Sequence, residues 1–113
     1  MLVQNVNKEN SILLGDFNAH NVSWNCDLTD SNGNRFFNSI LNHELFLHNF
    51  NTKTYVDIYR DYKSNIDLIL STIDICDITN IKVCDETWGS DHYPCFIEID
   101  IKKESYVKNP LTL

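Results

Sequence analysis

GSDHYP, at residues 89–94, lies directly before the last apolar run of the chain and places a carboxylate next to an imidazole in a predicted loop. The proline that ends this stretch is tolerated at the first residue of a strand. From residue 94 to residue 101, apolar side chains alternate with largely polar ones, which is typical of a strand with one buried face. The sequence therefore predicts a central strand over residues 94–101, preceded by a loop that presents Asp91 and His92.

A second apolar run ends at GDFN, residues 15–18. Because this run does not alternate, it is typical of a strand buried on both faces, and it predicts a central strand over residues 11–16. Residues two apart in an extended segment point the same way, so we expect Asp16 and Asn18 on one side and Phe17 in the core. The carboxylate and the amide would then lie at the carboxyl end of a strand, where α/β proteins commonly place ligands.

A third stretch, NIDL at residues 65–68, carries a carboxylate inside an apolar run. It predicts a central strand over residues 66–71, with Asp67 within the strand. A carboxylate among apolar neighbours is costly to bury unless it has a partner. A polar partner is therefore expected at hydrogen-bond distance, about 2.7–3.2 Å from a carboxylate oxygen. We therefore expect the polar groups of all three stretches to converge at one edge of the sheet.

The remaining segments supply the covering layer and the connections. Apolar residues recur at helical spacing over residues 33–43, which predicts an amphipathic helix on one face of the sheet, with Ser31 or Asn32 as its N-cap. Trp24 is expected to fill the core. The other predicted segments are a short strand at 45–47, a connection at 72–78, a strand near the sheet edge at 79–84, and loose polar ends at 1–10 and 103–113.

Residues 51–64 are polar and contain three tyrosines together with Arg60 and Lys63. They predict a hairpin or a long loop. Two roles are equally open for this segment. It is either a solvated connection or a contact for the backbone of a substrate, because it carries the only mixture of basic and aromatic residues near the proposed site.

The length of 113 residues fits one domain with a modest core. The formal charge of −7 provides no basic footprint for binding nucleic acid by counterion release, which counts against a nucleic-acid-binding module. The charge counts less against a nuclease, because a metal site collects carboxylates.

The four cysteines lack the spacing of a zinc site, and they are predicted to be small buried hydrophobes in a reducing compartment. The N-terminus lacks the basic and apolar segments of a signal peptide, and no apolar run is long enough to cross a bilayer. The expectation is an intracellular protein, nuclear or cytoplasmic, without a membrane partner.

GDFNAH at residues 15–20, NIDLIL at 65–70 and GSDHYP at 89–94, in this order, resemble the endonuclease/exonuclease/phosphatase family. In particular, they resemble the apurinic-type endonuclease domain of non-LTR retrotransposons such as the jockey-like elements. The resemblance extends from about residue 12 to residue 101. It implies an α/β fold that forms the C-terminal half of a DNase-like four-layer sandwich, with a mixed, mostly antiparallel sheet and a covering helix. The Asn and Glu that the family places near its metal, and its phosphate-contacting Tyr, have no counterpart in this sequence.

The resemblance implies a role for each matching residue. His92 would contact the scissile phosphate, and Asp67 would orient His92 through a ring N–H. Asp16 would position or activate the attacking water, and Asn18 would donate to the phosphate. Asp91 would hold a divalent metal, and its hard oxygen ligands suit Mg²⁺ or Mn²⁺.

The function implied is metal-dependent phosphodiester hydrolysis by a retrotransposon-derived DNA endonuclease domain, with the rest of a polyprotein that includes a reverse transcriptase as its partner. We expect the chain alone to be weakly active or inactive, because the earlier half of the family's site is unmatched. Two alternatives stay open at this point: a non-catalytic remnant, or a phosphatase of the same superfamily that acts on lipid or inositol phosphates. The Ala19-His20 that follows GDFN favours the retrotransposon branch.

Overall fold

The computed structural model describes residues 9–101, so the predicted loose ends lie outside the described residues except for residues 9 and 10. No helix in this described part of the chain is long and apolar enough to cross a membrane. The strands are β1 (Ile12–Asp16), β2 (Leu45–Leu47), β3 (Tyr55–Asp57), β4 (Tyr62–Ser64), β5 (Asp67–Thr72), β6 (Thr79–Val83) and β7 (Cys95–Ile99), and the helices are α1 (Ser31–Asn42) and the 3-10 helices Val22–Trp24 and Ile73–Ile78.

The main sheet has three strands in the order β1-β5-β2, and both of its pairings are antiparallel. Its register aligns Asp16 at the end of β1 with Asp67 at the start of β5. β3 and β4 form a hairpin, and β6 and β7 form a second antiparallel pair. The α/β class with mostly antiparallel sheets is thus confirmed, and residues 51–64 contain the hairpin rather than an irregular loop.

The prediction of a central strand at residues 94–101 is wrong. The strand covers only Cys95–Ile99, and it pairs with β6 in a separate two-stranded sheet. The alternation itself is confirmed, because Cys95, Ile97 and Ile99 are half-buried whereas the residues between them are exposed. A period of two reports that one face of a strand is buried, but it contains no information about which strand lies alongside.

The core lies between α1 and the inner face of the main sheet. Trp24 is fully buried there, as predicted, among neighbours that include Phe36, Leu68 and Leu70. The rings of Trp24 and Phe36 meet edge to face at 6.1 Å, and Phe17 stacks on Phe36 at 4.5 Å. The apolar stripe of the helix therefore fixes the end of β1, from which Asp16 projects.

The N-cap of α1 is Asp30, not Ser31 or Asn32. Its carboxylate accepts the N–H of Gly33 at 2.7 Å, and its second oxygen accepts a hydrogen bond from Nδ1 of His20 at 2.8 Å. One carboxylate thus satisfies the start of the helix and fastens the preceding loop to it, which a cap at Ser31 would not do.

All four cysteines are free, but the prediction that they are buried holds only for Cys26. Cys76, Cys84 and Cys95 are only partly buried, because they lie on or beside the two-stranded β6–β7 sheet or its preceding 3-10 helix.

Candidate active site

The predicted bond between Asp67 and His92 is confirmed. Nδ1 of His92 donates to a carboxylate oxygen of Asp67 at 2.7 Å, the only proton placement that suits an ionised carboxylate. The side chain of Asp67 is 19% exposed and that of His92 is 36% exposed. Asp67 belongs to the strand, as predicted, but it is the first residue of β5 rather than an interior one. Its carboxylate is therefore at the rim of the core, where it reaches His92 and solvent.

The loop that carries His92 is fastened to the outer edge of the β3–β4 hairpin. The N–H of Val56 donates to the carbonyl of Asp91 at 2.8 Å, and His92 forms an isolated antiparallel bridge with Tyr55. The ring of Tyr55 meets the imidazole edge to face at 5.2 Å. The hairpin thus fixes the backbone position of His92 and the orientation of its ring. Sequence reasoning missed Tyr55, because one tyrosine among three in a polar segment gave no distinguishing signal.

Two further carboxylates face the other ring nitrogen of His92. Nε2 lies 3.9 Å from a carboxylate oxygen of Asp16 and 3.9 Å from one of Asp91. Partial burial lowers the pKa of the imidazole, but the hydrogen bond to Asp67 and the charges of Asp67, Asp91 and Asp16 outweigh it, so the pKa lies above its usual value. The structure therefore brings together four of the five predicted catalytic side chains, with three carboxylates around the imidazole of His92.

Asn18 differs from the expectation. Its backbone has a φ of 47°, a left-handed conformation that asparagine tolerates better than most residues, and its N–H donates to Oδ1 of Asp16 at 3.0 Å. The segment is therefore not extended at this point, and the rule that Asp16 and Asn18 share one side does not apply. Phe17 points into the core as predicted. The exposed side chain of Asn18 lies beside the site through this backbone turn.

The two basic residues predicted to bind substrate occupy different parts of the hairpin. Arg60 is in the turn, where its side chain is 83% exposed and lies 3.7 Å from Asp57. Lys63 is on β4, with its ammonium 5.6 Å from the centre of the Tyr93 ring. Lys63 and Lys53 both line a cavity of about 260 Å³, bounded also by Thr52, Val83, Cys84, Asp85 and Tyr93.

Thr54 supports the Asp67–His92 pair, which we call the dyad, through hydrogen bonds to the backbone next to each residue. Sequence reasoning missed Thr54. It is fully buried, and its hydroxyl oxygen accepts the backbone N–H groups of Ile66 and Asp67, each at 3.0 Å. Its carbonyl accepts the N–H of Tyr93 at 2.8 Å. A single residue therefore contacts the segments on both sides of the Asp67–His92 bond. A threonine in a predicted polar loop carries no signal of this role.

Cys95 lies close enough to the site to sense the charge of Asp67. Burial, together with the charges of Asp67 and Cys84, raises the pKa of the Cys95 thiol to about 11. The raised pKa disfavours the thiolate near neutral pH, and so it disfavours a role of Cys95 as a nucleophile.

Within residues 9–101, Asp16, Asp67 and His92 form a group whose ligand atoms all lie within 4.8 Å of one another. Two carboxylates and an imidazole are a donor set that fits a divalent cation. Asp91, the predicted metal ligand, is outside that group, although its carboxylate lies 3.9 Å from His92. One oxygen of Asp67 is already engaged by the imidazole, so the exposed carboxylate of Asp91 is the freer donor of the two for a hard cation such as Mg²⁺.

Comparison with known proteins agrees with this geometry. A family model described as endonuclease-reverse transcriptase matches residues 1–96. The chain belongs to this endonuclease-reverse transcriptase family. Among solved structures, it is similar to the endonuclease domain of TRAS1, a telomere-specific non-LTR retrotransposon, with a TM-score of 0.71 and 25% sequence identity. The match covers 79% of this chain and 42% of the TRAS1 chain, so the chain spans less than half the length of that relative.

No curated protein matches the chain. The family and the TRAS1 similarity nevertheless confirm the resemblance to retrotransposon endonucleases that GDFNAH, NIDLIL and GSDHYP indicated. They also confirm the DNase-like arrangement of mixed antiparallel sheets. The three stretches contribute Asp16, Asp67 and His92, which the fold of this endonuclease-like domain gathers within hydrogen-bond or ion-pair distance.

Proposed function

We propose that this domain hydrolyses phosphodiester bonds of DNA as a metal-dependent endonuclease. The observation that carries the proposal is the 2.7 Å bond from Nδ1 of His92 to Asp67, which leaves Nε2 directed at two further carboxylates. A carboxylate–imidazole pair beside exposed carboxylates is the arrangement that general acid–base chemistry at a phosphate requires.

Each side chain has a distinct role in the proposed reaction. Asp67 fixes the ring of His92, so that Nε2–H points towards the phosphate and stabilises the charge that develops there. The raised pKa of His92 increases the fraction that carries this proton near neutral pH. Asp16, whose side chain is 44% exposed, accepts a proton from the water that attacks the phosphorus. The P–O bond to the leaving group breaks in this step, and the departing oxygen takes up a proton from solvent. Asn18 donates to a phosphate oxygen from the adjacent turn.

A divalent ion, Mg²⁺ or Mn²⁺, completes the proposed site, with Asp91 as a ligand and Asp16 next to it. When bound, such an ion neutralises charge on the phosphate and acts as a Lewis acid. The side chain of Asp91 is 63% exposed, and so it is open to a cation from solvent. We infer weak activity for the chain alone, because one or two carboxylates normally hold Mg²⁺ only together with substrate phosphates.

The proposed substrate contact uses the basic side chains of the hairpin. Lys63 lies beside Tyr93, the residue that follows His92, and Arg60 projects from the hairpin turn. We propose that both neutralise DNA phosphates that flank the scissile bond. In a chain with a net charge of −7, such local cations are needed to offset repulsion of the substrate. We propose DNA as the substrate and the remainder of a retrotransposon polyprotein, with its reverse transcriptase, as the partner.

The test uses an activated small phosphodiester, bis(p-nitrophenyl) phosphate, which needs no DNA-binding groove. The chain is incubated with Mg²⁺ or Mn²⁺ over many hours, and release of nitrophenolate is followed. Slow hydrolysis is expected for the wild type, and no hydrolysis above buffer is expected for His92→Ala. His43→Ala is the matched control, because His43 is an exposed histidine at the end of α1, and it should retain the wild-type rate. Equal rates for His92→Ala and wild type would refute the proposed function.

A further inference from the structure

The ladder between β2 and β5 continues past the end of β2 by means of a side chain. The last paired residues are Leu47 and Leu70, after which the N–H of His48 donates to the carbonyl of Ile69 at 2.9 Å. The backbone then leaves the sheet at Asn49. Oδ1 of Asn49 accepts the N–H of Ile69 at 2.9 Å, and its Nδ2 donates to the carbonyl of Asp67 at 2.7 Å.

A side-chain amide has one acceptor and one donor group in the same plane, as a peptide bond does. The amide of Asn49 therefore takes the place of one more residue of β2 along the edge of β5. In an antiparallel strand, the N–H and C=O of one residue point to the same edge. Asp67 directs both groups towards this edge, where Thr54 accepts its N–H and Asn49 donates to its carbonyl.

We propose that Asn49 is a positioning residue that holds the backbone of Asp67 so that its carboxylate reaches Nδ1 of His92. Asn49 is 1% exposed, and so it touches no substrate. The positioning of the dyad follows from the hydrogen bonds alone, whereas its benefit to catalysis rests on the function proposed above.

The amide of Asn49 is itself held in one orientation. Its Nδ2 also lies 3.3 Å from Oγ1 of Thr52 and 3.5 Å from Oδ1 of the fully buried Asn65. Nδ2 of Asn65 in turn donates to the main-chain carbonyl of Asn49 at 2.7 Å, which fixes the backbone that carries the amide. Rotation of the Asn49 amide would leave the N–H of Ile69 and the carbonyl of Asp67 without their partners, and Ile69 is fully buried. Such a loss is costly, and this cost makes Asn49 a rigid support rather than an adjustable one.

The test compares Asn49→Ala with Asn21→Ala. Asn21 is a matched control because it is also buried, accepts a backbone N–H from Ser23 at 2.9 Å and donates to the carbonyl of Gly33 at 3.4 Å. Both variants are neutral and lose the same chemical group. The readout is NMR of ¹⁵N-histidine-labelled chain, at a fixed pH at which the imidazole is neutral. It reports the tautomer of His92 and the low-field signal of the Nδ1 proton in the short hydrogen bond to Asp67.

We expect Asn49→Ala to lose the low-field proton and to show a mixture of His92 tautomers, and Asn21→Ala to keep both signatures of the wild type. Survival of the low-field proton and of the single tautomer in Asn49→Ala would overturn the proposal. The readout needs no substrate. A chain with this NMR behaviour but no His92-dependent hydrolysis would therefore refute the proposed function and leave the positioning role intact.

If Asn49→Ala does not fold, hydrogen exchange of the wild-type chain decides the question. The side-chain N–H of Asn49 and the Nδ1–H of His92 should be released by the same opening, with the same dependence on low concentrations of denaturant. An opening that releases the Asn49 amide while the His92 proton stays protected would overturn the proposal.

Discussion

Replacement of Thr54 by valine would test how strongly the support of the site is coupled to the stability of the fold. Valine keeps the shape of threonine but removes the hydroxyl oxygen that accepts the N–H groups of Ile66 and Asp67, each at 3.0 Å. A buried donor left without a partner costs about 1–3 kcal/mol, and two donors are affected. After the small gain from burial of an extra methyl group, we expect Thr54→Val to lower the free energy of unfolding by about 2–4 kcal/mol. This loss is a large part of the total of about 5–15 kcal/mol that is usual for a domain.

Urea denaturation followed by the fluorescence of the chain measures this loss. The matched control is Thr79→Val, because Thr79 is also buried but its hydroxyl makes one bond, to the carbonyl of Ile75 at 2.7 Å. The control should lose about 1 kcal/mol. The reasoning is refuted if Thr54→Val loses no more than Thr79→Val, because the hydroxyl would then not satisfy two buried donors.

Three further predictions concern the site and its scaffold. Asp67→Asn should lower the pKa of His92, and an NMR titration measures this change. Because the pKa is raised in the folded wild type, the Asp67–His92 pair stabilises the fold at acidic pH. This contribution is lost as the pH rises through the folded-state pKa of His92. Gly33→Ala should lower the melting temperature of the chain, because the added Cβ would lie 1.6 Å from the carbonyl oxygen of His20. This clash should outweigh the higher helix propensity of alanine, which by itself would stabilise the helix by about 1 kcal/mol. The 113-residue chain with Mg²⁺ or Mn²⁺ should show negligible nicking of supercoiled plasmid in an agarose-gel assay, and nicking by the wild type but not by His92→Ala would contradict this expectation.

The parts of the site that the sequence predicted depend on residues that are close together in the chain, such as a carboxylate that is costly to bury among apolar neighbours. A carboxylate beside an apolar run requires a partner wherever the strand lies, so the need for a partner of Asp67 followed from its neighbours. The resemblance of the motifs added that this partner is His92, and the structure gives the bond at 2.7 Å. The helix followed from its apolar periodicity, and the first strand followed from an unbroken apolar run. For these two elements the signal lies within about ten consecutive residues.

The parts that the sequence did not predict depend on which segments lie side by side. The strand Cys95–Ile99 pairs with β6 rather than with the main sheet, and its alternation is compatible with either arrangement. Asn49 and Thr54 were missed because a buried polar residue in a loop has the same composition as an exposed one. Asn18 was misplaced because a left-handed residue interrupts the extended rule, and asparagine is compatible with both conformations.

The electrostatics of the site explain why a cation belongs to the proposed chemistry. The imidazole of His92 is surrounded by the carboxylates of Asp16, Asp67 and Asp91, all within 3.9 Å of a ring nitrogen. Even with the imidazole protonated, this group carries an excess of negative charge, and the chain as a whole carries −7. A phosphodiester is repelled by such a site, since like charges in a partly desolvated setting cost more than in water. In the proposed site, a divalent ion held by Asp91 would offset this excess of negative charge and so reduce the repulsion of the phosphate.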